Sequence, residues 1–293
     1  MHYSLLGHFE GTLLAARFGE QLARTGGSCA RQHFSEMAVA TTWHLIREGG
    51  LNLESWEREI ASFDRPPSSL AIASFVPLSL YFHEDDLLLN RALYHIIDIL
   101  SIPPTIASGL AGVARAIARG LREPLDLDRE LGDPFGDGDD GDGAIAAGFE
   151  GVVAASRKGA SWESCQRQMS GWPALPTSEE NRVLRAIARA WFCFCSTPQD
   201  LRLSLLRAAR SPQDPVLTAF IAGSLSGAYN GSEGIPLGWQ RPGDPLGGDG
   251  FLDLKSCARE LLEAWSGVYD LQQTPKTAGA FLAVAPPKGL RPR

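Results

Sequence analysis

The most conspicuous oxygen donors in the chain are five aspartates in the run Gly132-Asp-Pro-Phe-Gly-Asp-Gly-Asp-Asp-Gly-Asp-Gly143. A hard cation such as calcium wants several oxygens on one loop, and a calcium-binding helix-loop-helix places acids at positions 1, 3 and 5 before a glycine. Counted from Asp137, position 5 is Gly141 and the acid after it, Asp142, comes one residue late, and no glutamate closes the loop. The run therefore reads as an acidic, glycine-rich surface loop. Gly223-Ser-Leu-Ser-Gly227 has the frame of a hydrolase elbow but puts Leu225 where the nucleophile must stand. The spacing of Gly223, Gly227 and Gly231 by four instead makes a bare strip on a helix, against which a neighbour can approach closely. His2, His8, His33, His44, His83 and His95 include no pair at i, i+4 able to share a zinc ion. His33 and His44 share a helix face but stand about 16 Å apart along it. Cys29, Cys165, Cys193, Cys195 and Cys257 are odd in number and fit neither a disulfide framework nor metal spacing, so they read as reduced and buried.

Apolar positions recur at helical spacing over most of the 293 residues, and alternating β-branched runs are scarce. The fold class is all-α. Helix patterns cover residues 5–23, 35–48, 53–62, 86–100, 105–121, 144–155, 179–194, 198–209, 216–229 and 252–269. Gly49-Gly50 and Pro66-Pro67 supply stops, and Pro103-Pro104 supplies a start. Helix patterns of similar composition flank the acidic loop, which places it inside one domain of residues 3–270. Residues 274–293, with four prolines and little periodicity, read as a flexible tail.

Hydrophobic residues at 44% and charged residues at 21% exclude a disordered chain. The longest apolar run, residues 70–81, is interrupted by Pro77 and is too short to span a membrane. A net charge of -7 argues against nucleic acid as a partner. Without a visible secretory signal at the start, the expected location is the cytoplasm.

One stretch goes further. Thr218-Ala-Phe-Ile-Ala-Gly-Ser-Leu-Ser-Gly-Ala-Tyr-Asn-Gly231 followed by Ile235-Pro-Leu-Gly-Trp239 resembles the C-terminal signature of the ADP-ribosylglycohydrolase family, A-A-I-A-G-A-L-A-G-A-Y-x-G and I-P-x-x-W. Residues 5–23 are similar to the family's opening helix and its G-D-A-L-G turn. Ser35-Glu-Met-Ala and Gly49-Gly50 are similar to its second helix, and Pro77-Leu78 and Ser101-Ile-Pro-Pro104 to its middle. The opening Tyr-Ser-Leu-Leu with Gly-Thr-Leu-Leu is most similar to a cyanobacterial branch. The resemblance implies a compact all-helical domain and, in active members, removal of ADP-ribose from modified proteins with two magnesium ions.

The ligands that the resemblance implies are largely replaced. The family's Thr-Asp-Asp becomes Gln32-His33-Phe34, and D-x-D-T becomes Asp214-Pro215-Val216-Leu217. Asp214 alone remains of four carboxylates, and Phe, Val, Leu and an imidazole cannot supply the octahedral oxygens magnesium demands. The flap glutamate falls near Gly27, G-D-A-L-G reads Gly19-Glu-Gln-Leu-Ala23, and N-G-x-A-M-R falls near Ser68-Ser-Leu-Ala-Ile-Ala-Ser74. The expectation is a catalytically inactive relative without a cofactor or catalytic residue, serving as a ligand-binding or regulatory module. Its partner would be ADP-ribose, another nucleotide or a protein. Two alternatives stay open: a purely structural subunit, and a divergent hydrolase that rebuilds a weaker metal site from Asp214, Glu20, Glu36 or the aspartates of residues 137–142.

Overall fold

A computed structural model describes residues 4–25, 34–63, 67–122, 143–170, 172, 178–241 and 251–267. The acidic run up to Asp142, the tail, Gly27, Cys29, Gln32 and His33 lie outside these residues. Twelve α-helices follow one another, and no strand occurs among the described residues: α1 Leu5–Thr25, α2 Phe34–Glu48, α3 Leu53–Ile60, α4 Pro67–Tyr81, α5 Asp86–Ile99, α6 Pro104–Arg122, α7 Gly143–Arg157, α8 Trp162–Ser170, α9 Ser178–Ser196, α10 Leu201–Ala208, α11 Pro215–Asn230 and α12 Phe251–Ser266. No described helix is long and apolar enough to cross a membrane.

The architecture is organised around α11, in which every residue from Val216 to Ala228 is buried. A helix that is apolar or small on all sides can lie only in the interior. Its principal neighbour is α1, with α9, α10 and α6 completing the enclosure. Along the α1 seam, small residues spaced by four face each other: Gly11 meets Gly227, Ala15 meets Gly223 and Gly19 meets Ala219. The numbers rise on one helix as they fall on the other, so the two run antiparallel. A Cβ on Gly11, Gly19, Gly223 or Gly227 would stand within 2.8 Å of a backbone atom across the seam. The expected close approach of a neighbour to the glycine strip is thus met by α1. His8 Nδ1 is 2.6 Å from the Ala228 carbonyl oxygen, so the α1 N-terminus is tied to the α11 C-terminus.

Two helices go beyond the sequence reading. The first, α4, continues through Pro77 although proline lacks the amide and crowds the preceding turn. Residues 71–80 are all buried, between α2 and α6 among other neighbours, and packing on every side outweighs the missing hydrogen bond. The second, α8, has only nine residues and few apolar ones, too short a window for periodicity to show. Side-chain caps fix the starts of α3, α5 and α10: Asn52 accepts from the Ser55 amide, Asp85 from Leu88 and Asp200 from Leu203.

Candidate functional site at the start of the central helix

Because α1 and α11 are antiparallel, the C-terminal end of α1 and the N-terminal end of α11 lie at one end of the seam. The start of α2 joins them, since Glu20 of α1 bonds Ser35 and Phe34 stacks on Phe220 of α11 with ring centroids 5.3 Å apart. This is the corner to which the family resemblance assigns the metal ligands.

Asp214 is the N-cap of α11, with φ 48 and ψ 58. Left-handed backbone is uncommon outside glycine, and aspartate is among the side chains that tolerate it. One carboxylate oxygen accepts from the Leu217 amide at 3.3 Å, and the other is paired with the Arg182 guanidinium of α9. The Thr218 hydroxyl donates to the Asp214 carbonyl at 2.9 Å and holds the turn from inside. The side chain of Asp214 is 7% exposed. Its two oxygens thus serve a helix cap and an arginine.

Those of the remaining positions that lie among the described residues are apolar and closed. Phe34, Val216 and Leu217 are completely buried. Glu20, also buried, spends one oxygen on the Ser35 amide at 2.9 Å and on the Ser35 hydroxyl, and the other on Arg24 at 2.9 Å. An anion at the first turn of α2 opposes the unpaired amides there, so Glu20 caps its neighbour. Glu36 is exposed. Among the described residues no three His, Cys, Asp or Glu side chains come together to hold a metal ion. Asp214, Glu20 and Glu36 are not brought into one ligand set among the described residues.

Three arginines were invisible as a site in the sequence. Arg182, Arg185 and Arg189 recur at i, i+3 and i+7 on α9 and so share one face. Arg189 is 4% exposed; it donates to the Gln213 carbonyl at 3.3 Å and to Gln213 Oε1 at 3.0 Å. Arg185 donates to the Met169 carbonyl at the C-terminal end of α8, 2.6 Å away. Burial, and then the like charge of Arg185, lower the pKa of Arg189. The usable signal was Arg-x-x-Arg-x-x-x-Arg on the side of a helix whose apolar partners demand burial.

Other sequence candidates have structural roles. His44 is buried, its Nε2 accepts from the Asn52 amide at 3.2 Å, and its Nδ1 lies 3.4 Å from Glu59. His83 lies with its ring centroid 4.7 Å from that of Trp265. Cys165, Cys193, Cys195 and Cys257 are free and buried, and burial pushes the Cys165, Cys195 and Cys257 thiols up to about 12, which suits inert core residues. Trp239 of the Ile-Pro-x-x-Trp segment packs on Phe18 of α1 at 5.8 Å, so that part of the signature is scaffold. Ser68 to Ser74, aligned with a pocket-lining loop, instead forms the opening turns of α4.

Comparison with curated proteins finds no match. The model of the ADP-ribosylglycohydrolase family matches residues 77–271, about two thirds of the chain. That stretch carries the central helix, its Asp214 cap and the Ile235-Pro-Leu-Gly-Trp239 segment; it starts inside α4, so α1, α2 and α3 precede it. With an all-helical fold and a family match over that length, the chain belongs to the ADP-ribosylglycohydrolase family.

Proposed function

We propose that this protein keeps the ADP-ribosylglycohydrolase scaffold without its reaction, and acts as a ligand-binding or regulatory module for ADP-ribose, a related nucleotide or an ADP-ribosylated protein. The observation that carries the reading is the pairing of Asp214 with Arg182. A guanidinium seated on the remaining carboxylate excludes a divalent ion by charge. The fully buried Phe34, Val216 and Leu217 offer no oxygen in its place. Glu20, the nearest replacement ligand by sequence, is fully used by the α2 cap and Arg24. Losses of this kind leave the fold intact because the apolar residues at these positions, Phe34, Val216 and Leu217, are themselves part of the core. A cytoplasmic setting belongs to the same proposal and is supported by the free, buried thiols.

The test is release of ADP-ribose from arginine-linked and serine-linked conjugates, with and without magnesium. No release under either condition is expected. Magnesium-dependent turnover that Asp214→Ala abolishes would overturn the reading in favour of a divergent hydrolase.

A further inference from the structure

We propose that the arginine face of α9, where it meets the start of α11 and the end of α8, is a binding site for a phosphate group. The inference deepens the reading of a metal-free module and rests on it, since a magnesium pair at Asp214 would leave no room for the arginine arrangement.

Among the described residues, three cations and one carboxylate meet here. Arg182 pairs with Asp214, whereas Arg185 and Arg189 have no carboxylate bonded to them among the described residues. Arg185 reaches only a backbone carbonyl, and Arg189 only the backbone and side-chain oxygens of Gln213. Two positive charges are left over. Structural proteins seldom bury guanidinium groups with such an imbalance, because like charges repel more strongly when water is excluded. Burial above all, with the neighbouring charge of Arg185 adding to it, lowers the pKa of Arg189.

A second observation points the same way. The Nε of Arg189 is buried and has no hydrogen-bond partner, although the residue is more than nine-tenths buried. A buried donor without an acceptor costs about 1–3 kcal/mol, more when charged, and calls for a ligand that supplies one. Arg185 and Arg182 are only half-buried, so the face stays open to solvent at one side. A phosphate monoester carries about −1.5 to −2 charges at neutral pH and three strong acceptor oxygens, which matches both the leftover charge and the donor forks. A monocarboxylate would neutralise half of the excess. Asp214 competes with the phosphate for Arg182, so the site should be held below its full affinity by its own acid.

Thermal unfolding of the full chain in EDTA at fixed ionic strength tests this, with inorganic phosphate as the probe and chloride as the control. The expected result is a saturable rise in melting temperature with phosphate that chloride does not reproduce. Arg185→Gln should weaken the phosphate response about tenfold, the usual scale for losing a charge-assisted hydrogen bond. Asp214→Asn, which preserves a good N-cap side chain that tolerates left-handed backbone, should strengthen it. An absent or chloride-like response overturns the proposal, and so does a response unaltered in Arg185→Gln. Should Arg185→Gln not fold, the Asp214→Asn arm decides alone: stronger phosphate binding supports the site, and unchanged binding overturns it. Magnesium-dependent ADP-ribose release would instead sink the metal-free reading, so the two failures are distinguishable.

Discussion

Asp214 and Arg182 form a partly buried pair, with side chains 7% and 32% exposed. Removing one partner of such a pair strands the other, and the cost for a carboxylate this enclosed is about 2–3 kcal/mol. Arg182→Met should therefore destabilise the protein by that amount in urea unfolding, whereas Arg182→Met with Asp214→Asn should recover most of the loss. If the double variant is as unstable as the single one, the pair is not what holds the turn. His44 supplies a pH dependence. Its Nε2 accepts from the Asn52 amide, which places the ring proton on Nδ1 toward Glu59, and burial lowers its pKa below the 6.5 of an unperturbed imidazole. The unfolded chain therefore takes up a proton before the folded one does. The stability from neutral His44 is complete above about pH 6.5 and is lost as the pH falls toward the lowered folded-state value. Comparing urea midpoints at pH 7.5 and pH 5.5 should show this loss, and His44→Gln should reduce it. At this scale the sequence was half legible: it singled out Asp214 and Glu20, but the partner of Asp214 comes from a helix 32 residues earlier and follows no local spacing rule.

At the scale of the element, the α1–α11 seam makes the sharpest prediction. Alanine in place of glycine within a helix ordinarily adds about 1 kcal/mol of stability through propensity. At Gly227 the added Cβ would meet the Gly11 and Thr12 backbones, which no rotamer change can relieve. Gly227→Ala should instead cost about 2–3 kcal/mol, in the range of overpacked cores. Gly109→Ala, whose Cβ would meet side-chain atoms alone, the nearest being Ile187 Cδ1 at 3.3 Å, should be close to neutral. Equal effects at the two positions in thermal unfolding would show that the seam is looser than described. The glycine spacing was readable in advance because close helix contact needs small residues at a fixed period. No helix pattern covered α4, whose apolar run is interrupted by Pro77; the rule that proline ends helices is local, and α4 is sustained by what surrounds it. The shortness of α8 concealed it for the opposite reason: it has too few turns to display a period.

For the molecule as a whole, the family match begins at Pro77, yet α1 lies along α11 and α2 along α4 and α12. We propose that residues 3–270 unfold as one cooperative unit. Chemical denaturation followed by tryptophan fluorescence and by far-UV circular dichroism should then give coincident transitions. Separate midpoints would indicate that the first three helices melt on their own.

The glycine seam also governs how the protein can be made. His8 and its partner Ala228 are 220 residues apart in the chain. Synthesis proceeds at about 5–20 residues per second, so the first helix leaves the ribosome about 10–40 s before its principal partner exists. Throughout that interval its bare glycine strip lacks the helix it packs on, and Phe18 lacks its partner Trp239. Nascent chains stalled before Asp214 should therefore stay bound to chaperones or aggregate, and release of the completed α11 is the event that lets the first helix find its place.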